Sequence, residues 1–254
     1  LKCRVTINFE EAAFGCAKTI DLRRAELCDT CGGSGAAEGS KPSTCPTCRG
    51  QGQVYRSQGF FSVATTCPRC RGAGEIIDNP CSACQGAGRQ TRNVRIKVNI
   101  PPGVEDGTRM RVPNEGEPGA HGGPRGDLFC YILVQPHDFF ERRNDDIHCE
   151  APITFSQAAL GTDLAVPTLR GRATLKIPGG TQSGQIFRLR GQGIQNVHGQ
   201  GTGDQIVRVV VETPRKLTPR QEELLRELAQ IEEKNVSPHR KGFLDRLREY
   251  FSEE

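Results

Sequence analysis

The chain has 254 residues, 35 % hydrophobic and 25 % charged, with a formal charge of +4. No apolar run approaches the roughly 18 residues that cross a bilayer, which excludes a membrane-spanning helix. Thirty glycines and sixteen prolines fall short of a low-complexity chain and favour a turn-rich, mainly β protein. Met110 is the only methionine, so the sequence reads as a fragment or a processed form.

In chain order, the first readable element is the Ala-Ala segment around residues 12–13, which predicts a single helical turn between strands. Thr19-Ile20-Asp21-Leu22-Arg23 then alternates apolar with polar residues, the pattern of a half-buried strand. Residues 28–88 are a different kind of sequence. Cys28-x-x-Cys31, Cys45-x-x-Cys48, Cys67-x-x-Cys70 and Cys81-x-x-Cys84 each continue as x-Gly-x-Gly. Two sulfurs two residues apart grip one tetrahedral metal ion, and the glycines let the backbone turn around them. Each pair supplies half of a four-cysteine site, so four pairs predict two Zn²⁺ ions.

Val54 to Thr66 holds two β-prone runs around Gln58-Gly59, which predicts a hairpin. Closing it brings Cys45 and Cys48 beside Cys67 and Cys70. Cys28, Cys31, Cys81 and Cys84 then form the outer site of a nested pair. With eight thiolates and two zinc ions counted, the formal charge falls from +4 to zero, so basicity is a weak argument for nucleic acid. The other four cysteines, Cys3, Cys16, Cys130 and Cys149, lie in or beside strand-like runs and read as small buried hydrophobes.

Beyond the cysteine-rich region the chain repeats itself. Ile100-Pro-Pro-Gly103, Gly107, Arg111, Gly116 and Gly126-Asp127 recur 77 residues later as Ile177-Pro-Gly-Gly180, Gly184, Arg188, Gly193 and Gly203-Asp204. Ile7 to Gly15 resembles Ile153 to Gly161 at an offset of 146. The difference between the two offsets is the room taken by the cysteine-rich insert. Strands are predicted at Leu128 to Val134 and Gln205 to Val211. The tail turns helical: Thr218, Pro219 and Gln221 make a capped start before Leu224, Leu225, Leu228 and Ile231 at helical spacing. A second stripe carries Phe243, Leu244, Leu247 and Phe251.

The predicted fold is mainly β, with two tandem related β-sandwich-like domains. The first is interrupted by a two-zinc β-hairpin insert, and a short helical tail closes the chain. The predicted boundaries are 1–27 with 89–138 for the first β-domain, 28–88 for the insert, 139–214 for the second β-domain and 215–254 for the tail.

Four such knuckles inside the first of two tandem β-domains resemble the DnaJ-type co-chaperones of the class with a cysteine-rich region. The resemblance covers essentially the whole chain, including the Phe-x-x-Ala-Ala-x-Gly turns, the Pro-Gly-x-x-x-Gly segments and the aromatic-rich tail. It implies a region that binds unfolded client polypeptide and delivers it to a DnaK-type ATPase chaperone in the cytoplasm, without being an enzyme. It further implies a homodimer formed by the tail, here through Phe243, Leu244, Leu247, Tyr250 and Phe251. Carried over position by position, the family's peptide groove falls on Leu1, Ile20, Leu22, Ile96 and Cys130. The family's J domain, with its His-Pro-Asp tripeptide, and its Gly/Phe-rich linker have no match here. Pro136-His137-Asp138 has another order.

Two other classes compete. Arg49, Arg69, Arg71 and Arg89 flank the knuckles, as in a nucleic-acid-binding zinc protein, but they also neutralise thiolate charge. A thiol-disulfide oxidoreductase would use a single Cys-x-x-Cys, whereas fourfold repetition with glycines points to structural zinc. Salt-dependent DNA retention would mark the first alternative, and turnover of a scrambled disulfide the second. No Ser/His/Asp set is recognisable, and the five histidines have no ligand spacing.

Overall fold

The computed structural model of the chain describes residues 1–58, 61–119, 122–199 and 201–234. The first repeat begins with β1 (Lys2–Ile7), a six-residue helix α1 (Phe9–Phe14) and the long strand β2 (Cys16–Leu27). The insert contributes β3 (Ser43–Thr44), β4 (Gln53–Gln58), β5 (Phe61–Thr66) and β6 (Glu75–Ile76). The repeat resumes with β7 (Arg89–Ile100), β8 (Arg109–Val112) and β9 (Leu128–Val134). The second repeat contains β10 (Glu141–Arg143), β11 (Asp146–Thr154), α2 (Phe155–Leu160), β12 (Thr162–Thr168), β13 (Gly171–Ile177), β14 (Ile186–Leu189) and β15 (Gln205–Glu212). Helix α3 (Pro219–Lys234) follows.

The repeat in sequence is a repeat in topology. Strand order β1-β9-β8 in the first repeat returns as β11-β15-β14 in the second, where β10 is added at the β11 edge. The two-stranded sheets β2-β7 and β12-β13 correspond in the same way. The fold is mainly β and sandwich-like, as expected. In the first repeat alternate residues of β1, β7 and β9 meet in one core that includes Val5, Ile7, Ile96, Val98, Leu128 and Ile132. Period-2 burial along each strand is what the alternating sequence dictates.

Both short helices start with a reciprocal cap. Asn8 Oδ1 accepts from Glu11 N–H while Glu11 accepts from Asn8 N–H, and Thr154 and Gln157 repeat the arrangement. Six residues cannot hold a helix alone, so these caps and the buried Ala12 and Ala158 do it. Each helix ends on a glycine, and a Cβ on Gly15 would lie 2.8 Å from Pro102 N, as one on Gly161 would lie 2.9 Å from Gly179 N. This close approach explains the shared Gly and Pro-Gly signatures.

By compactness the chain divides into Leu1–Cys149 with Leu189–Gln205, and Glu150–Arg188 with the described residues from Ile206 onward. Asp145 and Asp146 fasten the 189–205 segment. The Asp145 carbonyl accepts from Ile194 N–H at 2.8 Å, and the Asp146 carboxylate accepts from Asp204 N–H at 2.7 Å. The capped start of α3 forms as predicted, with Gln221 N–H donating to Thr218 Oγ1 and Thr218 N–H to Gln221 Oε1. Phe243, Leu244, Leu247, Tyr250 and Phe251 lie outside the described residues.

Candidate metal centres and the β2 edge

Within the insert, β4 and β5 pair antiparallel from Gln53↔Thr66 to Gln58↔Phe61. The hairpin carries the inner knuckles to each other, and β2 and β7, paired along their whole length to Leu27↔Arg89, carry the outer ones. Two sulfur quartets result, Cys28/Cys31/Cys81/Cys84 and Cys45/Cys48/Cys67/Cys70. The nested pairing predicted from the hairpin is the pairing the structure has.

The quartets fit zinc. Cross-knuckle Sγ separations are 4.0 and 3.7 Å in the outer quartet and 3.9 and 3.6 Å in the inner one. A tetrahedron with Zn–S arms of about 2.3 Å has edges of about 3.8 Å. One sulfur of each knuckle is also held from the backbone. Gly35, Gly52, Gly74 and Gly88 N–H donate to Cys31, Cys48, Cys70 and Cys84 Sγ at 3.2–3.3 Å.

The second glycine of each knuckle has a further reason to be there. A Cβ on Gly52 would lie 2.5 Å from Gly72 O, and one on Gly74 the same distance from Gly50 O. Gly35 and Gly88 face Gly86 O and Gly33 O equally closely. Cys45 N–H donates to Gly74 O and Cys67 N–H to Gly52 O, a reciprocal clamp that the outer knuckles repeat. Each site is therefore two half-turns pressed backbone to backbone, with room for hydrogen only.

Thiol ionisation points the same way. Burial raises the Cys31 thiol, but Gly35 and Gly33 N–H and the facing Cys84 and Cys28 thiols outweigh it and bring it down to about 6. Burial and the same crowding push Cys84 up to about 11. In the inner quartet Cys45 is brought down to about 6 and Cys48 pushed up to about 11. Four thiolates cannot share such a space without a cation.

The second candidate region is the edge of β2. Among the described residues β2 pairs only with β7, in a register that sets Ile20 against Ile96 and Leu22 against Val94. Ile20 and Leu22 are half-buried and lean on the first core, in which Ile96 and Cys130 are buried. Leu1 is exposed, and its carbonyl accepts from Phe129 N–H at the start of β9.

An ion cluster that sequence reading missed sits where β2 enters the insert. Glu26 receives Arg24 Nε at 2.6 Å and Arg125 Nη2 at 2.5 Å, and Arg24 Nη1 reaches Glu115 at 2.7 Å. Partners 91 and 99 residues apart leave no periodic signal. Arg125 also donates to Gly116 O, and Arg89 to Gly119 O. The segment after β8 is thereby tied to the root of the insert.

Comparison with known families agrees with this geometry. Residues 1–214 match the family model described as DnaJ C terminal domain, and residues 220–253 match Chaperone protein DnaJ C-terminal region. The chain belongs to the DnaJ family. It is 49 % identical over its full length to a protein named Chaperone protein DnaJ from Rhodopirellula baltica, covering 65 % of that relative. It is 47 % identical to one from Nitrosomonas europaea, covering all of the chain and 69 % of the relative. For one from Protochlamydia amoebophila the identity is 45 %, over 99 % of the chain and 65 % of the relative. The chain thus spans about two thirds of the length of the curated relatives it matches. Among the described residues no helix is long and apolar enough to cross a membrane.

Proposed function

We propose that this region of a DnaJ-type chaperone binds non-native polypeptide along the free edge of β2 and passes it to a DnaK-type ATPase chaperone in the cytoplasm. The observation that carries this reading is the single ladder partner of β2, beside half-exposed Ile20 and Leu22. An unpaired edge offers backbone N–H and C=O groups to any extended chain, and alternate apolar side chains add selectivity without demanding one sequence. Leu1, Ile20 and Leu22 would touch the client, with Ile96 and Cys130 forming the floor beneath. The protein acts by binding and not by catalysis.

Each sulfur quartet would hold one Zn²⁺, and four thiolate ligands close the coordination shell, which is the arrangement of a structural site. The chain's own contribution is to prearrange the sulfurs and to hold the insert at the root of β2. Elemental analysis should find two zinc ions per chain. Replacing Ile20 and Leu22 with Ser should weaken binding of an apolar heptapeptide at least tenfold while leaving zinc content unchanged. Unchanged peptide affinity in the folded double variant would place the groove elsewhere.

A homodimer through Phe243, Leu244, Leu247, Tyr250 and Phe251 belongs to the same reading. It is supported by Leu224, Leu225 and Ile231, all exposed on α3 among the described residues. Deleting residues 236–254 should halve the mass measured by light scattering, and an unchanged mass would retire the tail as the dimer contact.

A further inference from the structure

Four cysteines stand outside the metal quartets, and two of them meet. Cys3 on β1 and Cys130 on β9 are direct register partners in a parallel ladder, and their Sγ atoms are 3.1 Å apart. Neighbouring strands lie about 4.8 Å apart, inside the Cα–Cα window of a disulfide, and the sulfurs need approach by only about 1 Å to bond. The two thiols also differ in access. Cys130 is fully buried in the core of the first repeat, whereas Cys3 is half-buried.

We propose that Cys3 and Cys130 are a redox modification site, forming a reversible disulfide independently of the metal-binding cysteines. With hydrogen peroxide as oxidant, the Cys3 thiol becomes a sulfenic acid and one water is released. The Cys130 sulfur then attacks the Cys3 sulfur, the sulfenic hydroxyl leaves with the Cys130 proton as a second water, and the S–S bond forms. Two thiols are oxidised and one peroxide is reduced. A dithiol reductant reverses the bond by taking the disulfide onto itself and returning a hydrogen to each cysteine.

The division of roles follows from the environment. Burial and the adjacent Cys3 thiol push the Cys130 thiol up to about 12, so it is a poor first target for an oxidant. Its role is to resolve the sulfenic acid held beside it, where proximity offsets low intrinsic reactivity. The second repeat supplies an internal control. At offset 146 the counterpart of Cys3 is Cys149, but at offset 77 the counterpart of Cys130 is Val207, also fully buried. One repeat carries the pair and the other a cysteine whose matching position is Val. The bond would tie the first strand covalently to the centre of its sheet across 127 residues of chain, so the oxidised protein should unfold at a higher temperature.

The test treats the full metal-loaded chain with a small excess of hydrogen peroxide, then unfolds it with chelator and N-ethylmaleimide for intact-mass analysis. Ten of the twelve thiols should be labelled, with the mass lower by two hydrogens before labelling is counted, and dithiothreitol should restore all twelve. Peptide mapping should join the Cys3 and Cys130 peptides and leave Cys149 labelled. Cys3→Ser should keep all of its eleven thiols under the same treatment. Cys130→Val, which copies the residue the second repeat already packs, should accumulate a Cys3 sulfenic acid that dimedone captures. Twelve labelled thiols in the oxidised parent, or the same thiol loss in Cys3→Ser, would overturn the assignment.

Discussion

The two repeats share strand order, capped helices and glycine signatures, yet they treat equivalent edge positions differently. Ile20 and Leu22 on β2 are half-buried, whereas their counterparts on β12, Val166 and Thr168, are 2 % and 9 % exposed. Leu1 is exposed and its counterpart Ile147 is fully buried. The pairing register is the same, Ile20↔Ile96 against Val166↔Ala173. One backbone plan thus leaves apolar side chains within reach of solvent in the first repeat and encloses them in the second. On the reading proposed above, topology alone therefore does not make a binding edge. Burial of the alternate side chains decides it, and the first repeat also bears the insert.

The largest effect should come from separating the insert from the repeats. Metal binding to a structural zinc site is worth about 10–16 kcal/mol in isolated fingers, and among the described residues the buried clusters of the insert are built on the sulfurs. A strong chelator should therefore collapse amide-exchange protection across residues 28–88 and leave strands β1, β9 and β15 protected. Loss of protection throughout would mean that insert and repeats fold as one unit. Gly52→Ala sharpens the same point, since its Cβ would meet Gly72 O at 2.5 Å with φ at +70°. Zinc content should fall from two to one per chain, with the outer quartet still loaded.

A matched pair of substitutions tests the difference between the edges directly. Val166→Ser removes a buried side chain and should destabilise the protein by about 2–3 kcal/mol. Ile20→Ser removes a half-exposed one and should cost about 1 kcal/mol. Denaturant melts of the two variants should differ in midpoint, with the slope unchanged. Equal costs would remove the distinction between the repeats.

Much of this organisation was legible because it is written at short range. A knuckle fits in eight residues, a hairpin in thirteen, and the fixed 77- and 146-residue offsets expose the repeat without any contact being known. The pairing of the quartets followed because the hairpin leaves the inner knuckles only each other. The caps of α1 and α2 were equally local, Asn8-x-x-Glu11 and Thr154-x-x-Gln157, and could have been read as the Thr218 cap was. Burial of Cys130 against half-exposure of Cys3 was not legible. Both sit in alternating strands, and only the assembled sheets decide which alternate face is enclosed. The Glu26 cluster was hidden for the other reason, because charge partners far apart in sequence obey no period.

That cluster also separates the repeats, and it yields the smallest expected effect. β2 runs on to Leu27 and β7 starts at Arg89, whereas β12 ends at Thr168 and turns straight into β13 at Gly171, so the stretch that carries Glu26 has no counterpart in the second repeat. Glu26 is 16 % exposed and Arg24 9 %, enough burial for the pair to matter and enough water to screen it. The Arg125 guanidinium holds the Glu26 carboxyl below its ordinary 4.5, against the opposing effect of burial and with help from Arg24. A carboxylate depressed on folding contributes stability that is complete above its unfolded pKa and disappears as pH falls through the folded one. Glu26→Gln should thus cost about 1–2 kcal/mol at neutral pH, because Arg24 and Arg125 each lose a charged partner. The gap between variant and parent should close as pH falls below 4.5. Urea melts of parent and variant at neutral pH and at successively lower pH read this out. A gap that stays constant on acidification would show that Glu26 serves by its shape and hydrogen bonds and not by its charge.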